Sequence, residues 1–403
     1  MYITIHRGTR QIGGCITEIC TEQGRIFIDF GTELPELDGT QPDEYLSVAG
    51  LTEGMRDCDG VFFTHYHGDH IGNMDRILSD IPIYMGKISR EISLVLNRHL
   101  QKAYHYNTNC FTDKSSFLHA LERANTFESG QKISIKDMDI TPYRVDHSAF
   151  DSYFFLIESG GVRVLHTGDF RDHGFSGDEL PHVLEQIGQV DCLICEGTML
   201  SRGKEEVLTE KELSKRAGDI MAQHKNVFIL CSSTNIDRIR AIYEAKPKEK
   251  PGVSDWYQKQ ILNAVSKSGP TTQETYQFKW IIPDSDWNYK LHNWMEKNGF
   301  VMFVRANDRF RTFMEKYRGN CKVIYSMWSG YLKNPRIAQF LDGYDYEVLH
   351  TSGHAVPETI QGVIRAVKPN KIIPLHTEVP DAFLALAGTA QVEIPKDGQP
   401  VFV

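Results

Sequence analysis

The run His65-Tyr-His67-Gly-Asp69-His70, placed directly after the apolar stretch Val61-Phe-Phe-Thr64, constrains this chain more than any other feature. A short apolar run that ends in polar residues reads as a strand, so the histidines and the aspartate fall on the loop at its end. His65 and His67, with one residue between them, can turn toward one point from such a loop, and the adjacent Asp69-His70 pair can serve a second point nearby. This spacing predicts a site for two metal ions. Imidazole together with carboxylate suits zinc, with manganese the alternative where oxygen donors dominate.

Further donors stand where such a site needs them. Val145-Asp-His147-Ser follows an alternating run, and Leu165-His-Thr-Gly-Asp169 closes another. Joined to the first motif, His147 and Asp169 are expected as ligands, with Asp169 as the carboxylate shared by both ions. Asp29, at the end of Ile26-Phe-Ile-Asp29, has the position of an acceptor that orients a liganding imidazole.

A chain of 403 residues exceeds the size at which one core usually stops growing, so two structural units are expected. Short runs such as Gly24–Phe30, Gly60–Thr64 and Val162–Thr167 alternate with helical patterns at Ser89–Tyr104 and Lys211–His224, which makes the first half α/β. From Glu205 to Asp345 a second set of strands and helices follows, and from Tyr346 the pattern resembles the first half again. This predicts one parent domain over 1–204 and 346–403, interrupted by an insertion over 205–345. A plain tandem arrangement is the alternative that the pattern leaves open.

Charge divides along the same lines. The chain carries a formal −9 overall, which speaks against a nucleic-acid partner, yet lysine and arginine outnumber acidic residues within 205–345. That segment is therefore the expected phosphate-facing part, and Arg305, Arg309, Arg311, Lys316 and Arg318 either form a strip on it or an ordinary solvated face. Trp280, Trp287, Trp294 and Trp328 are offered for stacking on bases, with core packing expected for most of them. No run is long and apolar enough to span a membrane. Met1-Tyr-Ile-Thr-Ile-His-Arg reads as a strand rather than a signal peptide, and Cys15, Cys20, Cys58, Cys110, Cys192, Cys195, Cys231 and Cys321 are scattered as reduced thiols would be. A cytoplasmic location is the expectation, with Cys192-Leu-Ile-Cys195 read as buried thiols.

Asp29, the His65–His70 run, His147 and Asp169 resemble, in order, the first four motifs of the metallo-β-lactamase superfamily. The remainder is similar to its β-CASP branch, and within it to ribonuclease J: Glu196 in Leu193-Ile-Cys-Glu-Gly-Thr198 resembles motif A, His354 in His350-Thr-Ser-Gly-His354 motif B, and His376 in Pro374-Leu-His376 motif C. The likeness extends through Pro42-Asp-Glu-Tyr-Leu46, Ile81-Pro-Ile-Tyr84 and Cys231-Ser-Ser-Thr-Asn235. It implies an αββα sandwich with an inserted α/β β-CASP domain. It also implies one metal on His65, His67 and His147 and a second on Asp69, His70 and His376, with Asp169 shared and Glu196 paired with His354. The sequence departs from that pattern at Thr377, where glycine is usual, and at Ser148-Ala-Phe-Asp151. It stops at Val403, so the C-terminal domain that the family's longer members carry is not expected.

The implied reaction is hydrolysis of an RNA phosphodiester, by a 5′ exonuclease or an endonuclease mode, on a single-stranded substrate. Asp69 is expected to accept a proton from the attacking water, and His354, held by Glu196, to supply one to the departing oxygen. Ser232, Ser233, Thr234 and Asn235, with His350, Thr351, Ser352 and Gly353, precede predicted helices and are expected either to hold substrate phosphate or simply to cap those helices. The competing readings are a DNA nuclease of the same branch, a small-molecule metallohydrolase and an RNA-binding protein without activity. Homo-oligomer formation is left open.

Overall fold

The structure, a computed structural model, describes the whole chain except residues 37, 39, 41–45, 107–111, 203–206, 269–275 and 286–287. Pro42–Tyr45 of the ribonuclease J likeness, Cys110, Glu205 and Trp287 lie outside the described residues.

Two seven-stranded sheets form the body. The first runs, in spatial order, Pro400–Phe402, Tyr2–Arg7, Ile16–Cys20, Arg25–Ile28, Gly60–Phe63, Ile83–Gly86 and Asn125–Phe127. The second runs Gln391–Val392, Lys371–Leu375, Cys192–Glu196, Val162–His166, Ser152–Ser159, Met138–Val145 and Ile133–Ile135. Both are mixed. Arg25–Ile28, Gly60–Phe63 and Ile83–Gly86 pair in parallel, as do Val162–His166, Cys192–Glu196 and Lys371–Leu375.

Alternation along these strands decides what packs where. In Gly60–Phe63, Phe62 points into a core with Ile5, Ile26, Phe155, Val164, Ile194 and Ile373, drawn from both sheets, whereas Val61 and Phe63 point to the opposite side. The two sheets thus share one apolar interior. Helices Leu180–Ile187 and Pro357–Val367 cover the second sheet through Leu184, Val363 and Ile364, and helix Lys87–Tyr106 covers the first through Ile88 and Ile92. Burial on both faces explains why the strands read as continuous apolar runs rather than as alternating ones. The result is an αββα sandwich.

A third sheet, wholly parallel, is built between residues 226 and 348: Ile281–Pro283, Gly252–Ser254, Phe300–Val304, Asn226–Leu230, Lys322–Tyr325 and Tyr346–Val348. Phe228, Met302 and Val323 bury one face against helices Tyr289–Asn298 and Asp308–Glu315 through Leu291, Met295, Phe310 and Met314. Val227, Ile229 and Phe303 bury the other, and there the cluster does not end at the unit's own helices. Leu213, Ile239 and Ile261 of helices Glu210–Gln223, Ile236–Ala245 and Trp256–Ser266 pack into the same cluster as Ile88 and Ile92 of the sandwich.

The tryptophans correct one expectation. Trp280 is 60 % exposed, because it precedes Ile281–Pro283 at the sheet's edge, where no further strand among the described residues covers it. Trp294 is half-buried with its indole N–H donated to Glu249 O at 2.6 Å, and Trp328 lines the cavity described below. Core packing is therefore not their role. The basic strip is in part a solvated face: Arg305 and the exposed Arg309 face Asp255, Arg311 bonds the carbonyls of Gln339 and Asp342, the exposed Arg318 pairs with Glu315, and the exposed Lys316 lies over Phe313. Cys192 and Cys195 are buried free thiols. Among the described residues, no helix is long and apolar enough to cross a membrane.

Candidate metal centre

The residues singled out by the sequence sit at or beyond the C-terminal ends of strands drawn from both sheets. Gly60–Phe63 delivers the His65–His70 loop, Met138–Val145 leads to His147, Val162–His166 to Asp169, Cys192–Glu196 ends in Glu196, and Lys371–Leu375 leads to His376. The ends of these strands, from the two facing sheets, meet at one crevice, which is how positions so distant in the chain come together.

His65, His67 and His147 bring one ring nitrogen each within 4.8 Å of one another, and so do the donors of Asp69, His70, Asp169 and His376. Asp169 lies between the groups: its Oδ2 is 3.2 Å from His70 Nε2, 3.8 Å from His65 Nε2 and 3.9 Å from His147 Nε2, and its Oδ1 is 3.5 Å from His376 Nδ1. His376 Nε2 stands 3.2 Å from Asp69 Oδ2.

Four of the five imidazoles are turned by what the other nitrogen does. His70 Nδ1–H donates to Asp29 Oδ2 at 2.7 Å, His147 Nδ1–H to Gly353 O at 2.6 Å, His376 Nδ1–H to Thr198 Oγ1 at 2.7 Å, and His65 Nδ1–H to Thr64 Oγ1 at 3.0 Å. Thr64 in turn donates its amide and hydroxyl to the two oxygens of Asp29, each at 2.8 Å. Asp29 thus orients two imidazoles, one directly and one through Thr64. Two of these positions carry backbone strain, since Asp29 has φ 61° and His376 φ 53°, left-handed values rare for residues with a Cβ. Gly31 permits the close approach of the loop, since a Cβ there would lie 1.7 Å from Asp69 O.

The cluster fits cations and little else. His65 Nε2, His70 Nε2 and both Asp169 oxygens are buried without a hydrogen-bond partner among the described residues. An unsatisfied buried polar atom costs about 1–3 kcal/mol, and four together are retained only where something else satisfies them. Burial drives the imidazoles of His65 and His147 well below their ordinary pKa, and that of His67 to about 4, so all three are neutral donors. Burial opposes ionisation of Asp69 and Asp169, but the surrounding imidazoles, His70 and His376 foremost, hold both carboxyls below their usual range.

Glu196 and His354 form a pair beside this cluster. His354 Nδ1 lies 3.2 Å from each Glu196 oxygen, and the same carboxylate accepts the amides of Phe170 at 3.1 Å and Thr198 at 3.2 Å. Burial pulls the His354 imidazole down, yet the charges of Glu196 and Asp169 outweigh it and raise its pKa.

A cavity of about 380 Å³ opens onto Asp69, Asp169, His354 and His376. Ser232 and Asn235 line it, as do His350, Thr351, Ser352 and Gly353, whereas Ser233 and Thr234 do not. Ser233 is buried, its hydroxyl taken by Arg305 and its carbonyl by Gln258, and Thr234 O accepts the Tyr66 hydroxyl at 2.7 Å. Asn235 also caps helix Ile236–Ala245, so both readings hold for that residue. Arg202, Trp328 and Tyr331 also line it, with the Arg202 guanidinium 4.7 Å over the Trp328 ring and the two aromatics edge to face at 5.4 Å.

Sequence reading missed a buried ion network behind the cavity. Arg171 bonds Asp146 and Glu210, each at 3.0 Å, and Arg238 grips Glu210 and Ser326. The same guanidiniums donate to Ser352 O and Thr351 O, each at 3.1 Å, which fixes the loop before His354. Arg171 stands two residues after Asp169, but nothing local marks an arginine as buried.

Residues 25–225 match the family described as the Beta-lactamase superfamily domain. Among characterised relatives, the Ribonuclease J of Mycoplasma pneumoniae is 23% identical over 410 residues, which cover 92% of this chain and 67% of the relative. The Ribonuclease J of Helicobacter pylori is 22% identical over 403 residues, covering 93% and 56%, and that of Sinorhizobium meliloti is 26% identical over 225 residues, covering 53% and 36%. The chain therefore spans about two thirds or less of these relatives. A crystal structure of a protein of unknown function from Enterococcus faecalis superposes with a TM-score of 0.76 at 20% identity over 99% of both chains, which establishes a shared fold.

Proposed function

Because this chain carries a metallo-β-lactamase superfamily domain, we propose that it is a metal-dependent ribonuclease of the β-CASP branch, with residues 205–345 as the inserted unit. One observation carries the reading: seven donors from four separate stretches of chain converge around Asp169, with unsatisfied atoms facing inward. The relatives named Ribonuclease J supply the substrate class.

In this reading His65, His67 and His147 hold one divalent ion and Asp69, His70 and His376 the other, with Asp169 shared. Zinc is the ion that this donor set favours. When bound, such a pair supplies Lewis acidity toward a phosphodiester and lowers the pKa of water from 15.7 to about 7.

The chain's own groups do the rest. Asp69, facing the cavity, accepts the proton lost as water attacks phosphorus. His354 keeps its proton under the charge of Glu196, and its Nδ1 contact with that carboxylate leaves Nε2 to protonate the departing oxygen. Ser232, Asn235 and the 350–353 loop meet the phosphates that are not cleaved, while Trp328 and Tyr331 meet a base. At about 380 Å³ the cavity is at the small end of ligand sites, which run to about 1,000 Å³, and it suits one nucleotide of a single strand.

The deciding experiment couples metal analysis of the purified chain to digestion of labelled RNA bearing 5′-monophosphate, 5′-triphosphate or 5′-hydroxyl ends, with a DNA of the same sequence alongside. Release of mononucleotides from the monophosphate RNA is the expected result. A protein that holds metal yet leaves every RNA intact would refute the reading, and preferential cutting of the DNA would replace the substrate.

A further inference from the structure

The cavity beside the metal cluster is poor in fixed positive charge for a site that takes RNA. Among the described residues that line it, Asp69 and Asp169 are carboxylates and Arg202 is the one permanent cation. Burial first, and then the charges of Arg238 and Arg202, push the His350 imidazole down to about 3, so it is neutral. His354 faces Glu196, and behind the cavity Arg171 and Arg238 are engaged with Asp146 and Glu210. In a chain of formal charge −9, Arg202 is the guanidinium left to meet a phosphate there.

Its placement is built from two directions. Arg202 closes the short turn Thr198–Ser201 that follows Glu196 of the second sheet, with its amide donated to Met199 O at 3.2 Å. Trp328 comes from the third-sheet unit, just after Lys322–Tyr325. The guanidinium lies 4.7 Å over that indole, and among the described residues its partner is this ring and no carboxylate. Gly330 makes room for the indole, since a Cβ there would lie 2.4 Å from the ring. A guanidinium stacked on an aromatic ring is held by its flat face, while its N–H donors lie in the plane and stay free. Those donors form a fork that matches two oxygens of a phosphate.

We propose that Arg202, braced on Trp328, grips an RNA phosphate next to the one that is cleaved, and that this grip exists only because the two units meet at the cavity. The proposal rests on the ribonuclease reading above and adds to it the residue that supplies charge to the strand.

The test compares the wild type with Arg202→Gln and Arg202→Lys. Binding of a fluorescein-labelled single-stranded RNA is followed by anisotropy across a salt series, each protein carrying His354→Ala so that the strand stays uncut. KM and kcat are measured without that second change. Arg202→Gln should weaken binding on the order of 10–100-fold, with the loss in KM rather than kcat and with metal content unchanged. Its slope of log affinity against log salt should flatten by about 0.7, the share of one phosphate on a single strand. Arg202→Lys should keep the slope and regain only part of the affinity, because an ammonium keeps the charge without the fork. In a Trp328→Ala background the cost of Arg202→Gln should shrink, as it does for two residues that act as one unit. Unchanged slope and affinity in Arg202→Gln, full affinity in Arg202→Lys, or an equal cost with and without Trp328 overturns the braced grip and leaves the ribonuclease reading standing. A wild-type protein that holds metal yet neither binds nor cuts RNA overturns that reading itself.

Discussion

Arg238 holds Glu210 by two hydrogen bonds of 3.0 Å each, from Nε to Oε2 and from Nη2 to Oε1, with both side chains wholly out of solvent. Glu210 begins one helix of the third-sheet unit, Arg238 lies in the next, and Arg171 reaches the same carboxylate from the loop after Asp169. The three residues bind the metal-bearing loops to the unit beside them.

Breaking that network by Glu210→Gln should lower unfolding stability by about 3–5 kcal/mol, because Arg238 is left buried without its counter-charge while Arg171 keeps Asp146. Burial opposes ionisation of Glu210, but Arg238 and Arg171 hold its carboxyl down at about 2. The folded pKa is below that of the unfolded chain, about 4.3. The contribution is therefore complete above that unfolded value and is withdrawn as pH falls through it toward about 2. Urea titrations across this window should show a steep acid loss in the wild type and a shallower one in the variant.

Asp29→Ala removes the acceptor of His70 Nδ1 and the anchor of Thr64. Metal affinity should fall by about 10–100-fold, measured by competition with a chromophoric chelator. Unchanged affinity would mean that Asp29 does not set the imidazole planes.

His354→Ala should keep the metal content and lose turnover by about 10²–10⁴-fold. Because the neighbouring carboxylates raise the pKa of this imidazole, the acid form persists below the raised value and disappears above it, so activity should decline on the alkaline side. Glu196→Gln removes the first of those charges and should move that alkaline limb to lower pH. A limb that stays in place in both variants would assign the titration to another group.

Trp328→Ala leaves every proposed ligand untouched and removes part of the cavity wall. Loss of one stacking surface should weaken single-strand binding by about 1–3 kcal/mol, seen as a higher KM with metal content unchanged. Equal KM values would confine the ring to a structural role.

Most of the framework was legible because its cause is local. Gly60–Thr64 and Val162–Thr167 shorten by one residue to Gly60–Phe63 and Val162–His166, Lys211–His224 shifts by one to Glu210–Gln223, and Ser89–Tyr104 extends by two residues at each end to Lys87–Tyr106. The gathering of His65, His147 and Asp169 was legible for a similar reason, since each stands just beyond an apolar run, whereas His376 was expected through the family resemblance. Arg171 and Arg238 were not, because burial of a guanidinium is fixed by partners brought from elsewhere, Asp146 and Glu210 among them. Nor was the strain at Asp29 and His376, which the side-chain pattern does not record. Trp280 misled for the converse reason: an aromatic before a strand predicts a core only if another strand lies alongside.

The uninterrupted apolar contact between Ile88 and Ile92 of one unit and Ile239 and Ile261 of the other leaves no seam along which the crevice could gape. Its width should therefore be set when the chain folds rather than when a ligand arrives. Amides of helices Lys87–Tyr106 and Trp256–Ser266 should accordingly exchange with deuterium only through global unfolding, and a strand end would have to be fed in lengthwise rather than clasped from above.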